Sequence, residues 1–415
     1  MKVSINYHLM IDDKFIDDFV NDANLISSNN KFIYTFSSPA KHVKSKKEGF
    51  APYHSKELKK IQQSIKKNDR LFVHWFTPNV LDFIDQLPKE TKVYLFFWGG
   101  DFLEVPAFSK PNNKLNHFLF SAKTLSYFQK DQNANFKQFK KNRLEAAILT
   151  KSHKNILATW FDNQLISVKR WRNSSYSEAM EIRRRFLQRI EAICHWNKFD
   201  IEFLNVLYDV KLRQLPFVYN IGLNSFSGMN KESSKKPTLK IWLGNSDTPT
   251  NNHLDAFDIL EKLKHQNIEI ICPLNYGNIQ YAKLISAEGK RMFGEKFKPL
   301  LGYIPRDEYY DLMDTVDVAY MPHRRGQAGG NIIAFIKKGV RIVMNDQSSI
   351  YKLFDFYGIS IQTEDWLKEV KFNHLQEPLD ETTKQKNITV LNSQTANEEN
   401  RIKWLKAILV QTNKI

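Results

Sequence analysis

The chain has 415 residues, enough for two domains, and its 42% hydrophobic and 13% aromatic content excludes an intrinsically disordered protein. Its formal net charge of +16 favours an anionic partner: nucleic acid, an anionic membrane leaflet or phosphorylated substrates. Two cysteines, Cys194 and Cys272, are too few and too far apart for a disulfide framework or a cysteine-based zinc site, and they point to a reducing cytosol.

The first residues, MKVSINYHLMIDDKFIDDFV, place acids where a signal peptide needs its apolar run, and no uncharged apolar stretch approaches the roughly 18 residues that span a bilayer. Neither export nor a membrane span is expected. The runs KVSINYHL, KFIYTFSS, RLFVHWF, KVYLFFWGG, NILATW and LNVLYDV read as strands with helical patterns between them, which predicts a parallel sheet with crossover helices. His8, Asp12 and Asp13 are read as following the first strand, and Asp101 ends the aromatic segment FFWGGD. An acid or imidazole at the carboxyl end of a parallel strand faces the cleft, so Asp101, His8 and Asp13 are candidates for a general base. The structural alternative for Asp101 is a helix cap, and His74, in VHWF, reads as a wall residue.

Between Ser121 and Lys198 sixteen Lys or Arg face six Asp or Glu, so this fifth of the chain carries +10 of the total. The segment HFLFSAKTLSYFQKDQNANFKQFKKNRL interleaves Phe118, Phe120, Phe128, Phe136 and Phe139 with lysines. Such a surface suits an anionic inner-membrane leaflet, and equally a helix that packs its aromatics into the first domain. Single-stranded nucleic acid is a third reading, but no nucleic-acid-binding module is recognisable and no nucleic-acid partner is expected.

The polar stretch GLNSFSGMNKESSKKP, Gly222 to Pro237, reads as a linker, and beyond it strand and helix patterns alternate again from TLKIWLGNS to VRIVMN. The expected organisation is a first domain over 1–223, a linker over 224–237, a second domain over 238–380, and a tail over 381–415. The helix NRIKWLKAILV in that tail would pack back toward the hinge. The fold class is α/β: two doubly wound, Rossmann-like domains facing across a cleft.

Two loops of the second domain carry phosphate chemistry. In WLGNSDTPTNNHLDAFDIL, Gly244 permits a tight exit from a strand, Ser246, Asp247, Thr250, Asn251 and Asn252 are possible caps, and His253 enters the next helix, whose dipole favours phosphate. The stretch lacks a Walker A ending and a GxGxxG fingerprint. In DVAYMPHRRGQAGGNIIAFIKKG, Gly329 and Gly330 let a ligand approach the backbone at a helix start, and Arg324 or Arg325 supplies charge-assisted hydrogen bonds. Tyr320 on the strand and Asn331 in the first helical turn complete the candidate donor-binding set, while Gly339 would end the helix. No DxD metal motif or ligand cluster stands out, so no metal or other cofactor is expected; a leaving diphosphate would meet backbone dipoles and arginine instead.

The segments GNSDTPTNNH, YDLMDTVDVAYMPHRRGQAGGNI and KKGVRIVMN, with YHLMIDDKFIDDFVND and FFWGGDFLEV in the first half, resemble one family. It is that of the TDP-Fuc4NAc:lipid II 4-acetamido-4,6-dideoxygalactosyltransferases of enterobacterial common antigen synthesis, also described as 4-alpha-L-fucosyltransferases, which are GT-B glycosyltransferases. The resemblance implies transfer of a dideoxy amino sugar from a thymidine diphosphate donor to a polyprenyl-diphosphate-linked saccharide, by a cytoplasmic protein peripherally associated with the inner face of the plasma membrane. Carried over by motif, Gly244, Asn245, Ser246, Asn252 and His253 would line the donor phosphates with Gln327, Gly329 and Gly330. Many retaining GT-B enzymes carry a Glu-x7-Glu pattern whose second acid holds the ribose hydroxyls; the matching positions here are Gly326 and Ala334, which is compatible with a deoxyribose donor. The readings kept beside this one are a GT-B-fold nucleotide-sugar epimerase, a non-catalytic sugar-nucleotide-binding protein, and a basic nucleic-acid-binding protein.

Overall fold

The computed structural model describes residues 4–36, 40–44, 50–103, 114–127, 176–220, 237–394 and 398–410. The strands fall into two six-stranded sheets whose pairings are all parallel. The first is built from β1 (Asn6–Met10), β2 (Asn30–Tyr34), β3 (Arg70–Val73), β4 (Lys92–Phe96), β5 (Ala192–Cys194) and β6 (Gln214–Leu215), in the order β2-β1-β3-β4-β5-β6. The second contains β7 (Leu239–Leu243), β8 (Ile268–Pro273), β9 (Phe297–Leu300), β10 (Val318–Met321), β11 (Arg341–Met344) and β12 (Gln362–Thr363), in the order β12-β11-β10-β7-β8-β9.

The central strands are largely apolar because helices cover both faces of each sheet, which leaves no wet face to alternate toward. β1 and β10, for example, are buried at every residue. In each sheet the chain starts in the middle, moves to one edge, and returns to the other side of its first strand. The reversals fall between β1 and β3 and between β7 and β10, and a crevice opens at such a point outside the carboxyl ends of the strands. The two phosphate-type loops, after β7 and after β10, therefore flank the reversal of the second sheet.

One strand assignment is corrected. LNVLYDV is not a strand: residues 204–208 are the last turns of the helix Lys198–Tyr208, whose buried Ile201, Leu204 and Tyr208 follow helical spacing and pack on the first sheet. The strands in this part of the chain are the short β5 and β6. NILATW, residues 221–236 and most of the basic region (128–175) lie outside the described residues. In the described beginning of the aromatic and basic segment, Phe118 stacks on Phe203 with 3.7 Å between ring centroids and Phe120 is buried, so both face into the protein.

The helix Glu381–Gln394 packs on the second domain, with Leu391 in its core. The helix Glu398–Leu409 then crosses to the first domain and lies on the helix Ile16–Ile26, where Leu405, Ile408 and Leu409 join Phe19 and Val20 in one cluster. Arg401 is ion-paired with Asp22 and with Glu398. At the other end Arg70 donates to the carbonyls of Ile408 (2.9 Å) and Leu409, and Asn6 Nδ2 also donates to Leu409 O (3.3 Å). A guanidinium there satisfies carbonyls that the helix itself leaves open.

Candidate active site

The loop after β7 is drawn inward by its own side chains. Gly244 has φ +69°, and a Cβ there would stand 2.8 Å from His253 Nε2 and 3.0 Å from Asn251 Oδ1, so glycine is required by both conformation and space. Trp242 Nε1 donates to Gly244 O (2.9 Å), while Asn251 accepts from Asn245 N (3.1 Å) and donates to Ser246 O and Oγ (3.1 and 3.0 Å). Asn245, Ser246, Thr250 and Asn251 are all buried.

The loop after β10 meets it through Gln327. Gln327 Nε2 donates to Asn245 Oδ1 (3.0 Å), and its Oε1 accepts from Thr250 Oγ1 (2.8 Å). Asn245 Nδ2 donates in turn to the Tyr276 hydroxyl (2.9 Å), on the loop after β8. A chain of four polar side chains thus ties three loops at the carboxyl end of the second sheet. Ala328 takes φ +58° just before the helix Gly329–Lys337, whose first turn holds Gly329, Gly330 and Asn331. Asn331 donates to the Tyr309 hydroxyl (2.8 Å).

Other members of the candidate donor set are engaged elsewhere. Arg324 reaches across to the first domain and donates to the carbonyls of His117 (3.2 Å), Phe118 and Phe120 and to Ser121 Oγ (3.0 Å), capping the helix Lys114–Leu119. Asn252, at φ +51°, donates to Leu119 O (3.1 Å) and Pro322 O (3.2 Å) and accepts from Ser121 N (2.8 Å), so its side chain ties the same segment. Tyr320 is buried in β10, with its hydroxyl on Glu364 (2.8 Å). His253 is enclosed beneath Gly244, and burial lowers its pKa to about 3, so the ring is neutral. Arg325 is nearly buried, with Nη1 3.3 Å from Gly326 O. His323, fully buried, bonds Arg325 O through Nδ1 (3.1 Å).

The two positions that match the Glu-x7-Glu pattern are not placed to hold a ribose, so they carry no preference for a deoxyribose donor. Ala334 is buried in the core between its helix and the sheet, so position 334 faces apolar side chains and not a nucleotide. Gly326 lies against Asp200, where no glutamate side chain has room.

On the first domain, Asp101 lies in the short helix Gly100–Leu103. Its Oδ2 accepts from Phe76 N (3.1 Å) and its carbonyl from Arg183 Nε (2.8 Å), and the carboxyl is sealed from solvent. Burial pushes that carboxyl up to about 7, against the hydrogen bond from Phe76 N and the charge of Arg183. Asp13 accepts from Phe15 N (3.0 Å) at the start of the helix Ile16–Ile26, and Asp12 accepts from the backbone N–H groups of Lys41, His42 and Val43. His8 lies in the middle of β1, stacked between Phe32 and Phe72, and burial lowers its pKa to about 3. A buried chain runs from it: His8 Nδ1 to His74 Nε2 (3.1 Å), then His74 Nδ1 to the Tyr219 hydroxyl (2.6 Å).

One further pair in the same cleft is absent from the sequence-based candidates. His195 directly follows β5, and its Nε2 bonds Asp200 Oδ2 (2.8 Å) in the first turn of the helix Lys198–Tyr208. Its signal in the sequence is a histidine at a strand exit with an acid five residues on, hidden by the short strand AIC and the basic surroundings. This pair faces the second domain: Asp200 abuts Gly326, and Trp196 lies 3.5 Å from where a Cβ on Gly329 would be. Among the described residues no group of three or more His, Cys, Asp or Glu is placed to hold a metal ion, and no helix is long and apolar enough to cross a membrane.

Residues 127–408 match the family described as 4-alpha-L-fucosyltransferase, glycosyl transferase group 56. The fold is similar to sucrose-phosphate synthase from Thermosynechococcus elongatus (TM-score 0.58, 7% identity, 98% of each chain covered) and to a glycosyltransferase from Rickettsia africae (TM-score 0.54, 10% identity, 100% of each chain covered). It is also similar to Anabaena Alr3699/HepE, solved in complex with UDP and glucose (TM-score 0.56, 8% identity, 98% of each chain covered). The two facing parallel domains are a GT-B fold.

Proposed function

The chain belongs to the 4-alpha-L-fucosyltransferase family, glycosyl transferase group 56, and is a glycosyltransferase; from that premise we propose that it moves a 4-acetamido-4,6-dideoxygalactose-type sugar from thymidine diphosphate to a polyprenyl-diphosphate-linked saccharide. The observation that carries the donor half is the Gln327 bridge. It joins the loops after β7 and β10 at the reversal of the second sheet, where the helix Gly329–Lys337 begins, and the first N–H groups of a helix have no partner within it.

In this reading the donor diphosphate lies between Asn245, Ser246 and Gln327 on one side and the start of the helix Gly329–Lys337 on the other, with Arg325 as the nearby cation. The acceptor oxygen attacks the anomeric carbon, and the diphosphate leaves with the bonding pair onto these donors, without a metal ion. Arg324 and Asn252 serve the cleft in another way, holding residues 117–121 of the first domain against the second and so shaping the space between them. The basic 121–198 region is proposed to bring the enzyme to an anionic inner-membrane surface, where a lipid-linked acceptor resides.

A thermal-shift comparison of TDP, UDP and GDP tests the donor site, with TDP expected to stabilise most; a shift with none of the three would overturn the assignment. Transfer from the TDP-linked dideoxy amino sugar to a polyprenyl-diphosphate disaccharide in anionic vesicles then tests the acceptor.

A further inference from the structure

We propose that His195 is the general base that takes the proton from the acceptor hydroxyl, with Asp200 holding it in the required tautomer; this rests on the glycosyl-transfer reading above. His195 follows the last residue of β5, so it stands at the carboxyl end of the first sheet, on the side that faces the second domain. Its Nε2 lies 2.8 Å from Asp200 Oδ2. A carboxylate only accepts, so in the neutral ring Nε2 carries the hydrogen and Nδ1 carries the lone pair.

The remaining geometry fits a base. Nδ1 makes no hydrogen bond among the described residues, and the side chain keeps a small exposure to solvent. The ring is fixed by an edge-to-face contact with Phe97, at 4.9 Å between centroids and 86° between planes. Asp200 is itself buried, and it sits in the first turn of an eleven-residue helix. The pair also reaches the donor loop, because Asp200 fills the space beside Gly326, one residue before Gln327. The other candidates are committed elsewhere: Asp101 is sealed, Asp13 accepts from the Phe15 N–H, His8 is stacked in mid-strand, and His253 and His323 are enclosed.

In the reacting complex the acceptor O–H bond breaks and its proton passes to Nδ1. The oxygen's electron pair forms the new bond to the anomeric carbon, and the bond from that carbon to the diphosphate oxygen breaks, its pair leaving with TDP. Asp200 stabilises the imidazolium until the proton passes to solvent. A single displacement of this kind inverts the anomeric configuration.

The test uses the full chain, TDP-linked 4-acetamido-4,6-dideoxygalactose and a polyprenyl-diphosphate disaccharide. His195→Gln, which keeps a side chain able to bond Asp200, and His195→Ala are expected to lower kcat by about 10²–10⁴-fold, with the TDP thermal shift unchanged. Added imidazole should restore part of the His195→Ala rate, and Asp200→Asn should slow transfer and move the acid limb of its pH profile. A merely structural His–Asp clasp would give neither rescue nor a displaced limb. A His195→Gln rate within a few-fold of the wild type, or a product that retains the anomeric configuration, would overturn the assignment while leaving the glycosyl-transfer reading intact. A wild-type chain that neither binds TDP nor transfers sugar would overturn both.

Discussion

Asp200 occupies the space that a side chain at position 326 would need: a Cβ on Gly326 would stand 2.5 Å from its Oδ2 and 3.1 Å from its Oδ1. Because His195 holds that carboxylate, it has little freedom to withdraw. Gly326→Ala is therefore expected to cost about 1–3 kcal/mol of stability, and most of that cost should vanish in an Asp200→Ala background. Urea unfolding of the four members of this cycle measures the coupling; additive effects would show that Asp200 is not the obstacle.

Asp101 makes stability depend on pH. Its carboxyl is raised by burial from 3.8 to about 7, so folding favours the protonated form. That contribution is complete below pH 3.8 and is lost as the pH rises through 7. Asp101→Asn, which cannot ionise, should therefore gain on the wild type between pH 5 and pH 8, by on the order of a few kcal/mol. Parallel melting curves across that range would be expected to diverge steadily; a constant offset would mean that Asp101 titrates normally.

Removing the Gln327 bridge should loosen the donor site without unfolding the domain. Gln327→Ala deletes the hydrogen bonds to Asn245 and Thr250, and is expected to weaken TDP about 10-fold to 100-fold. Gln327→Glu, which adds a negative charge facing the diphosphate, should weaken it further. Calorimetric titration of TDP decides this, and unchanged affinity in both variants would separate the two loops from the donor.

Arg401 is 2% exposed and neutralises both Asp22 and Glu398, so Arg401→Met leaves Asp22 uncompensated. The expected loss is about 3 kcal/mol, and an Arg401→Met, Asp22→Leu double variant should recover part of it. Denaturant midpoints read both effects.

Much of the architecture is legible because buried parallel strands are written as apolar runs, and because helices between them carry periodic faces and stop signals such as Gly339, which takes φ +67°. β5 and β6 escape detection because three and two residues make no periodic signal, while the end of the helix Lys198–Tyr208 resembles a strand because Val206, Leu207 and Tyr208 form a short apolar run. In the site, the loops after β7 and β10 can be found from glycine, caps and strand exits. What local sequence does not hold is the use of each side chain across the fold. Arg324 has a guanidinium suited to phosphate, yet its partners are carbonyls some two hundred residues earlier. Asn252 reads as a loop residue near a ligand, and its amide is taken up by Leu119 and Ser121.

The return of the last helix to the first domain has a bearing on synthesis. Asn6 and Arg70 hydrogen-bond to the carbonyl of Leu409, so the first sheet's outer layer is finished by residues made after the whole second domain. A nascent chain that has completed β1 to β6 still lacks Leu405, Ile408 and Leu409 from the cluster around Phe19 and Val20, and lacks them while the whole second domain is translated. The first domain thus matures after the second, although it leaves the ribosome before it, and that interval is when a chaperone would have something to hold.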